Sequence, residues 1–261
     1  MKVQVLVATM NQTKIEELLE KMNISTEAII TNQTDEFSYN EMKFRDNDIK
    51  IYNFNEKGVG LNRNNSLMRA DSDIILIADD DIKYVDNYAE IIIEEFNKKP
   101  EADMIIFNIE EKNDARNRYV IKKDKRVHKY NCLRYGAVRI AIRLNKVKEK
   151  NIYFSLLFGG GARYGSGEDS IFIYNCIKSG MKVYSSTKEI LCLEESESSW
   201  FNGYNEKFFH DKGALLGCIF NKKCIFIIPI FLLKNHKTAK KIGIKNAYRC
   251  MKNGYREFKG V

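Results

Sequence analysis

The sequence predicts an α/β fold in which helices flank a central sheet. The apolar run at residues 74–78 is continuous, which is typical of a strand buried on both faces of a sheet. Apolar runs at residues 3–9, 27–30, 49–54 and 74–78 are separated by segments long enough to hold helices, and this alternation indicates right-handed βαβ units. The length of 261 residues, 44% of them hydrophobic, suits one sizeable domain with an appendage.

The first two predicted strands are each followed by polar residues. Thr9 and Asn11 follow the first strand, and Gln33 follows the second. Because the carboxyl ends of parallel strands meet at one edge of a sheet, where open α/β sheets bind ligands, these side chains are candidate ligand contacts. Asn11 has an alternative role as the cap of a helix predicted over residues 14–22.

The third predicted strand leads to a glycine pair and then to a polar helix. Gly58 and Gly60 precede a helix that carries Arg63 near its start. A guanidinium suits planar, multidentate contacts with phosphate, so Arg63 is a candidate phosphate ligand. The alternative is an exposed helix residue, which is the usual position of an arginine.

Three consecutive carboxylates, Asp79, Asp80 and Asp81, end the strand at residues 74–78. These like charges repel one another, and a bound divalent cation, which takes carboxylate oxygens as ligands, would offset the repulsion. The functional interpretation is therefore a metal site that neutralises a bound diphosphate. The alternative is a solvated acidic turn that caps the next helix, and an isolated Asp-Asp-Asp would favour that alternative.

The second half of the sequence contains a glycine-rich segment that ends in two acids. A helix at residues 84–98, a strand at 103–109 and a charged loop at 110–130 precede it, and short strands at 181–184 and 190–193 follow it. Five glycines fall within residues 159–167, but no Gly-Lys-Ser/Thr follows, which argues against a P-loop. Glu168 and Asp169 open the next helix, where acidic residues commonly serve the helix dipole alone.

Taken together and in this order, these motifs resemble those of the family 2 glycosyltransferases. The glycine pair, Arg63-Asn64 and Ala70 are followed about ten residues later by Asp79-x-Asp81, and Gly165-x-Gly167-Glu168-Asp169-x-x-Phe172 comes about 90 residues after that. The resemblance covers residues 1–210 and is to inverting enzymes of the GT-A fold, of the bacterial capsule or exopolysaccharide type. It implies a nucleotide-sugar half at residues 1–109 and an acceptor half at residues 110–210.

The resemblance also implies roles for the residues on the donor side. Thr9, Asn11 and Gln33 match the loops that bind the nucleoside, and Arg63 would lie near the diphosphate. Asp79 and Asp81 would hold the ribose and a Mn²⁺ or Mg²⁺ ion, with Asp80 between them in the donor site.

On the acceptor side, the resemblance makes Asp169 the general base, with Glu168 in a supporting or acceptor-binding role. A sugar hydroxyl is a poor nucleophile, so a carboxylate must take its proton. Trp200 could stack on a sugar ring or pack in the core, and the role of His210 is left open between a metal ligand and a structural residue.

The activity implied is metal-dependent, inverting transfer of a sugar, from a UDP-sugar by expectation, to a hydroxyl of a glycan or lipid-linked acceptor. One alternative is nucleotidyl or phosphoryl transfer on a similar sheet. The other is a non-catalytic, membrane-associated partner that retains the fold.

The positive charge is concentrated in the tail, residues 211–261. The tail has 12 Lys/Arg and 2 Asp/Glu, a balance of +10. Residues 1–210 have 31 Lys/Arg and 33 Asp/Glu, a balance of −2, which gives the net charge of +8. The apolar run of the tail at residues 224–233 is too short to span a bilayer, which needs about 20 residues.

We therefore expect the tail to bind the surface of an anionic membrane as a helical element. The alternative is a helical pair packed on the domain or on a second subunit. The six scattered cysteines indicate a reducing compartment. We expect a cytoplasmic enzyme, peripheral on the inner face of the cell membrane, with no nucleic-acid partner.

Overall fold

A computed structural model describes residues 1–110, 119–193 and 203–260, and within them ten strands form one sheet. The strand order is β3-β4-β2-β1-β5-β9-β7-β10-β6, and β8 pairs with β10. The strands are β1 (Val3–Met10), β2 (Glu27–Gln33), β3 (Ser38–Phe44), β4 (Asn47–Phe54), β5 (Ile74–Asp79), β6 (Ile82–Tyr84), β7 (Met104–Glu110), β8 (Lys125–Arg126), β9 (Ile140–Arg143) and β10 (Val183–Leu193).

Helices cover both faces of this sheet, as the sequence predicts. They are α1 (Ile15–Lys21), α2 (Val59–Arg69), α3 (Tyr88–Lys98), α4 (Leu144–Lys150), α5 (Glu168–Lys178), α6 (Glu206–Phe220), α7 (Cys224–Lys234), α8 (His236–Ala239) and α9 (Ile244–Lys259). One core cluster lies between the sheet and α1 and α3, and a second lies between the sheet and α2, α4 and α5. Val5 and Val7 belong to the first core and Leu6 to the second, which is the alternation expected of a strand buried on both faces. The predicted α/β fold is thus confirmed.

The parallel part of the sheet determines where the site lies. Strands β4, β2, β1 and β5 are mutually parallel neighbours. Thr9 of β1 pairs with Asn32 of β2, and Ala8 pairs with Asp79 of β5, so the three strands end at the same level. Polar residues that follow these strands therefore lie at one edge of the sheet.

The remaining strands make the sheet mixed, and five of them differ from the sequence prediction. Strand β6 follows the acidic turn, where no strand was predicted, and β8 lies in the predicted loop at residues 110–130. Strand β3 forms an unpredicted antiparallel hairpin with β4, and β9 is inserted antiparallel between β5 and β7. The predicted strands at residues 181–184 and 190–193 are one strand, β10, with irregular register near Ser185 and Glu189.

The C-terminal helices pack on the α/β body and on one another. Helix α6 runs unbroken from Glu206 to Phe220 and thus crosses the predicted boundary at residue 211. A Cβ atom at Gly213 would lie 1.9 Å from the carbonyl oxygen of Met251 on α9, and one at Gly254 would lie 1.9 Å from the carbonyl oxygen of His210. Only glycine allows the backbones of α6 and α9 to approach this closely.

Candidate active site

A cavity of about 1100 Å³ opens at the edge of the sheet where β1 and β5 end. Its lining comes from the parallel strands, from α1 and α2, from residues 133–136, from the glycine-rich segment before α5, and from α5 and α6. Eight of the nine predicted site residues line it: Thr9, Gln33, Arg63, Asp79, Asp80, Asp81, Glu168 and Asp169. The fold therefore brings the two acidic motifs, about 90 residues apart in the sequence, to one site.

Asn11 is not among the residues that line this cavity. It is exposed, adopts a left-handed φ of 53°, and donates its backbone N–H to the carbonyl oxygen of Gln33 at 2.9 Å. It does not cap α1 either, because Lys14 occupies the N-cap position and no side chain caps that helix. Asparagine tolerates the left-handed conformation, so Asn11 serves the turn after β1.

Hydrogen bonds fix the donor-side residues in place. Thr9 Oγ1 donates to Asp80 Oδ2 at 2.5 Å, which joins the end of β1 to the acidic turn. Gln33 Oε1 accepts the backbone N–H of Gly58 at 2.8 Å, which joins the end of β2 to the turn before α2. These bonds hold the three segments that form this side of the cavity.

Arg63 joins the two acidic motifs directly. Its Nη2 donates to Asp79 Oδ1 at 2.6 Å and its Nη1 to Glu168 Oε1 at 2.9 Å, from a side chain that is only 5% exposed. Burial opposes the charge, but the two carboxylates outweigh it and raise the pKa of Arg63, so the guanidinium stays protonated. The sequence predicted a contact with the diphosphate. The structure places two of its nitrogens on protein carboxylates, where they hold Asp79 and Glu168 together, and the contact with the diphosphate stays a prediction.

Asn64, the neighbour of Arg63, fixes this side of α2. Its side chain exchanges two hydrogen bonds with the backbone of Phe154, from Nδ2 to the carbonyl oxygen at 3.0 Å and from the backbone N–H to Oδ1 at 2.8 Å. The ring of Phe154 lies 5.4 Å from the guanidinium carbon of Arg63. The polar sequence of α2 is thus buried because its side chains are hydrogen-bonded.

The carboxylate of Asp169 has the protonation behaviour of a base poised near neutral pH. Its Oδ1 accepts the backbone N–H of Ser170 at 2.6 Å in the first turn of α5. Burial and the neighbouring Glu168 raise the pKa of Asp169 to about 6, against the opposing effect of Arg63 and Lys212. A base of this pKa is mostly ionised at neutral pH and still accepts a proton effectively.

Lys212, from α6, is a cavity residue that the sequence prediction missed. It lines the cavity, and burial lowers the pKa of its ammonium group although Asp169, Glu168 and Asp211 oppose this. The preceding Asp211 is buried and accepts the backbone N–H of Gly165 at 2.8 Å. The Asp-Lys pair directly before the apolar, glycine-containing stretch at residues 213–220 was the signal in the sequence.

Residues 23–158, which are slightly more than half of the chain, match the family model described as Glycosyl transferase family 2. This chain belongs to glycosyl transferase family 2. It is a glycosyltransferase with the GT-A fold. No match was found among curated proteins.

The solved structures similar to this family 2 chain include those of S. aureus TarS. TarS 1-349 in complex with UDP-GlcNAc aligns with a TM-score of 0.62 at 16% identity, over 85% of this chain and 67% of that chain. TarS 1-349 alone aligns with a TM-score of 0.61 over 66% of that chain, and a longer TarS structure aligns with a TM-score of 0.57 over 40% of that chain. This chain thus spans about two thirds of TarS 1-349 and less than half of the longer TarS chain, and at this identity the likeness shows the fold alone.

The acidic residues fit a metal ion that arrives with its ligand better than a preformed metal cage. In the described part of the chain no three His, Cys, Asp or Glu side chains are arranged to hold a metal. Asp79 already bonds Arg63, and Asp80 already bonds Thr9. Their carboxylate oxygens are nevertheless of the ligand type that Mg²⁺ and Mn²⁺ prefer. Mg²⁺ commonly binds one or two carboxylates together with substrate phosphates, and Asp81 and Asp79 suit that mode.

His210 has a structural position between α6 and α9. Its Nε2 lies 3.1 Å from Glu257 Oε2 and its Nδ1 lies 3.3 Å from Asp211 Oδ1. Glu257 also accepts from Arg163 of the glycine-rich segment at 2.8 Å. His210 is thus part of a network that connects α9 to that segment. Trp200, the other residue considered on the acceptor side, lies outside the described residues.

Proposed function

We propose that this enzyme transfers a sugar from a UDP-sugar to a hydroxyl of a glycan or lipid-linked acceptor, with inversion at the anomeric carbon. The observation that carries the proposal is the buried bridge from Asp79 through Arg63 to Glu168, which places the acidic turn beside Asp169 in one cavity. A donor held at the acidic turn would thus present its anomeric carbon near the base. The TarS structures with UDP and UDP-GlcNAc support the choice of UDP.

In the proposed reaction, the acceptor oxygen attacks the anomeric carbon while Asp169 removes the hydroxyl proton. The bond between the anomeric carbon and the phosphate oxygen breaks, and UDP leaves with the bonding electrons. One displacement inverts the configuration. Arg63 holds Asp79 and Glu168, and Lys212 adds a positive charge that helps keep Asp169 ionised before it accepts the proton.

Asp81 and Asp79 would hold Mn²⁺ or Mg²⁺, which would neutralise charge that develops on the leaving diphosphate. Thr9 and Gln33 would contact the nucleoside from the ends of β1 and β2, whereas the exposed turn position of Asn11 makes it the weakest of these candidates. Assembly of a bacterial capsule or exopolysaccharide is the process that we propose for this activity.

Calorimetric titration with UDP, with and without Mn²⁺, tests the donor site. We expect metal-dependent binding by the wild-type protein and loss of the metal dependence in Asp81→Asn. Thr34→Ala, in the loop after β2, is a control because Thr34 is not part of the cavity lining and its hydroxyl donates to the nearby carbonyl oxygen of Glu36. Failure of the wild-type protein to bind UDP under any of these conditions would contradict the proposal and favour a non-catalytic role.

A further inference from the structure

Helix α7 carries an apolar surface that the rest of the described chain leaves exposed. Phe226 is 76% exposed, Leu233 75%, Ile225 53% and Ile230 51%. Phe226, Ile230 and Leu233 are spaced by four and three residues, so they lie along one face of the helix. We call Ile225, Phe226, Ile230 and Leu233 the outer face of α7.

The opposite face of α7 is already packed. Cys224, Ile228 and Leu232 are buried in a cluster with residues of α6 and α9, including Phe209 and Met251. Packing inside the protein therefore explains only half of the apolar character of α7. The outer face needs a separate explanation, because large exposed apolar patches mark interaction sites.

The charge around the outer face indicates what covers it. Lys222 and Lys223 directly precede α7, Lys234 ends it, and all three are exposed. Four more exposed lysines follow at positions 237, 240, 241 and 245, and the sequence from 212 to 256 contains no Asp or Glu. A surface of this kind is complementary to an anionic one.

We propose that the outer face of α7 inserts into the surface of an anionic phospholipid bilayer, with the neighbouring lysines on the lipid headgroups. Lysines can extend their charged ends to headgroups while their stems cover apolar surface. Lys is depleted at the centres of protein interfaces, whereas exposed lysines lie at both ends of this apolar face. The proposal extends the proposed function, because a surface-bound enzyme would meet a lipid-linked acceptor there.

A transmembrane arrangement agrees less well with the packing. The segment Glu206–Lys234 is long and apolar enough to cross a membrane by length and composition. Its first part is α6, however, where Asp211 bonds the glycine-rich segment and Gly213 contacts the α9 backbone. Helix α6 ends at Phe220, and Asn221 has a φ of 52°. Within this segment, α7 is therefore the part that is left to contact lipid, and we expect it to lie along the surface.

The same packing would give the bound enzyme a defined orientation. Glu257 of α9 bonds Arg163 at 2.8 Å, and Asp211 of α6 bonds Gly165 at 2.8 Å, both next to the segment that carries Glu168 and Asp169. The helices that hold α7 are thus fastened to the active-site cavity. Insertion of α7 would place the cavity at a fixed angle to the membrane.

Cosedimentation of the full chain with phosphatidylcholine vesicles, with and without phosphatidylglycerol, tests the proposal. We expect binding that requires phosphatidylglycerol and weakens at high salt, because screening shortens the range of the lysine charges. Phe226→Ser/Leu233→Ser should lower the partition coefficient at least tenfold, since each side chain buried in an apolar environment contributes more than that factor (about 1.5–3 kcal/mol). The control, Phe37→Ser/Leu156→Ser, changes one Phe and one Leu that are 67% and 59% exposed elsewhere, and it should bind like the wild type.

Neutralising Lys222 and Lys223 together to Gln should also lower binding about tenfold or more, from the contribution of each cation near an anionic surface. UDP binding, measured without vesicles, should persist in every variant, so a failed membrane proposal and a failed catalytic proposal give different results. The membrane proposal is overturned if the wild type does not cosediment with anionic vesicles. It is also overturned if Phe226→Ser/Leu233→Ser binds these vesicles with the same partition coefficient as the control variant. It is also overturned if that variant only dissociates an oligomer in sedimentation velocity, or if alkaline carbonate fails to extract the wild type from membranes.

Discussion

Replacing Arg63 by methionine tests the bridge that joins the two halves of the active site. Methionine keeps much of the side-chain volume but removes the charge and both hydrogen bonds, at 2.6 Å to Asp79 and 2.9 Å to Glu168. Breaking a buried ion pair by removing one partner costs about 3–5 kcal/mol, because the remaining charge is left without compensation. The Asp79 side chain is 36% exposed and water can solvate it, whereas the Glu168 side chain is 13% exposed. We therefore expect a loss near the lower end, about 3 kcal/mol.

This loss should be visible in thermal unfolding. At about 2–4 °C per kcal/mol for a chain of this size, the melting temperature of Arg63→Met should fall by about 6–12 °C. Arg69→Met is the control on the same helix. Arg69 packs over the rings of Tyr52 and Phe54 and donates to the carbonyl oxygen of Asn65 at 2.9 Å, and its loss should cost about 1–2 kcal/mol.

A double-mutant cycle separates the ion pair from simple loss of packing. Glu168→Gln removes the carboxylate that Arg63→Met would leave unpaired, so the double variant should be less destabilised than the sum of the two single variants by about 1 kcal/mol or more. If the single effects add, or if Arg63→Met melts with the wild type, the bridge does not stabilise this site.

Four further predictions follow from the same geometry. Asp169→Asn should lower kcat by about 10²–10⁴-fold and retain UDP binding. If Asp169→Asn stays active and Glu168→Gln loses activity, Glu168 is the base instead. Because the raised pKa of Asp169 is about 6, kcat of the wild type should fall as pH drops below that value, and a flat acidic limb would argue against this base. Lys212→Met should shift this acidic limb of the kcat profile to higher pH, because the ammonium group of Lys212 lowers the pKa of Asp169. An unchanged limb would show that Lys212 does not affect the base. Gly254→Ala should destabilise the protein by several kcal/mol in urea unfolding, because its Cβ would meet the carbonyl oxygen of His210 at 1.9 Å, and wild-type stability would contradict the close helix packing.

The sequence was sufficient to predict the parallel strands and the acidic turn, for a physical reason. Strand β5 is buried on both faces, so its apolar run is continuous and its end is sharply marked by Asp79. Topology then places the ends of the neighbouring parallel strands at the same edge. The same logic does not reach β3, because Tyr39, Asn40 and Glu41 in this edge strand are exposed and give no apolar pattern.

Other differences arise from interactions between residues far apart in the chain. The polar middle of β10 does not interrupt the strand, because Ser186 is buried and its hydroxyl donates to Glu95 at 2.8 Å. The turn of the β3–β4 hairpin uses Arg45 and Asp46 at positive φ, without the Asn-Gly that would mark it. Lys212 lines the cavity because Asp211 bonds Gly165 and α6 packs beside α5. These contacts join segments about 45 residues apart, so the Asp-Lys pair alone does not show where its side chains lie.

Donor hydrolysis measured across UDP-, GDP- and TDP-sugars, with Mn²⁺ or Mg²⁺ and with EDTA, tests the central claim most directly. We predict that the wild-type protein releases nucleoside diphosphate from a UDP-sugar in the presence of metal, and that Asp81→Asn does not. Equal release in EDTA would contradict the metal assignment. Release from no nucleotide-sugar under any condition, by a protein that is folded, would contradict glycosyl transfer at this cavity.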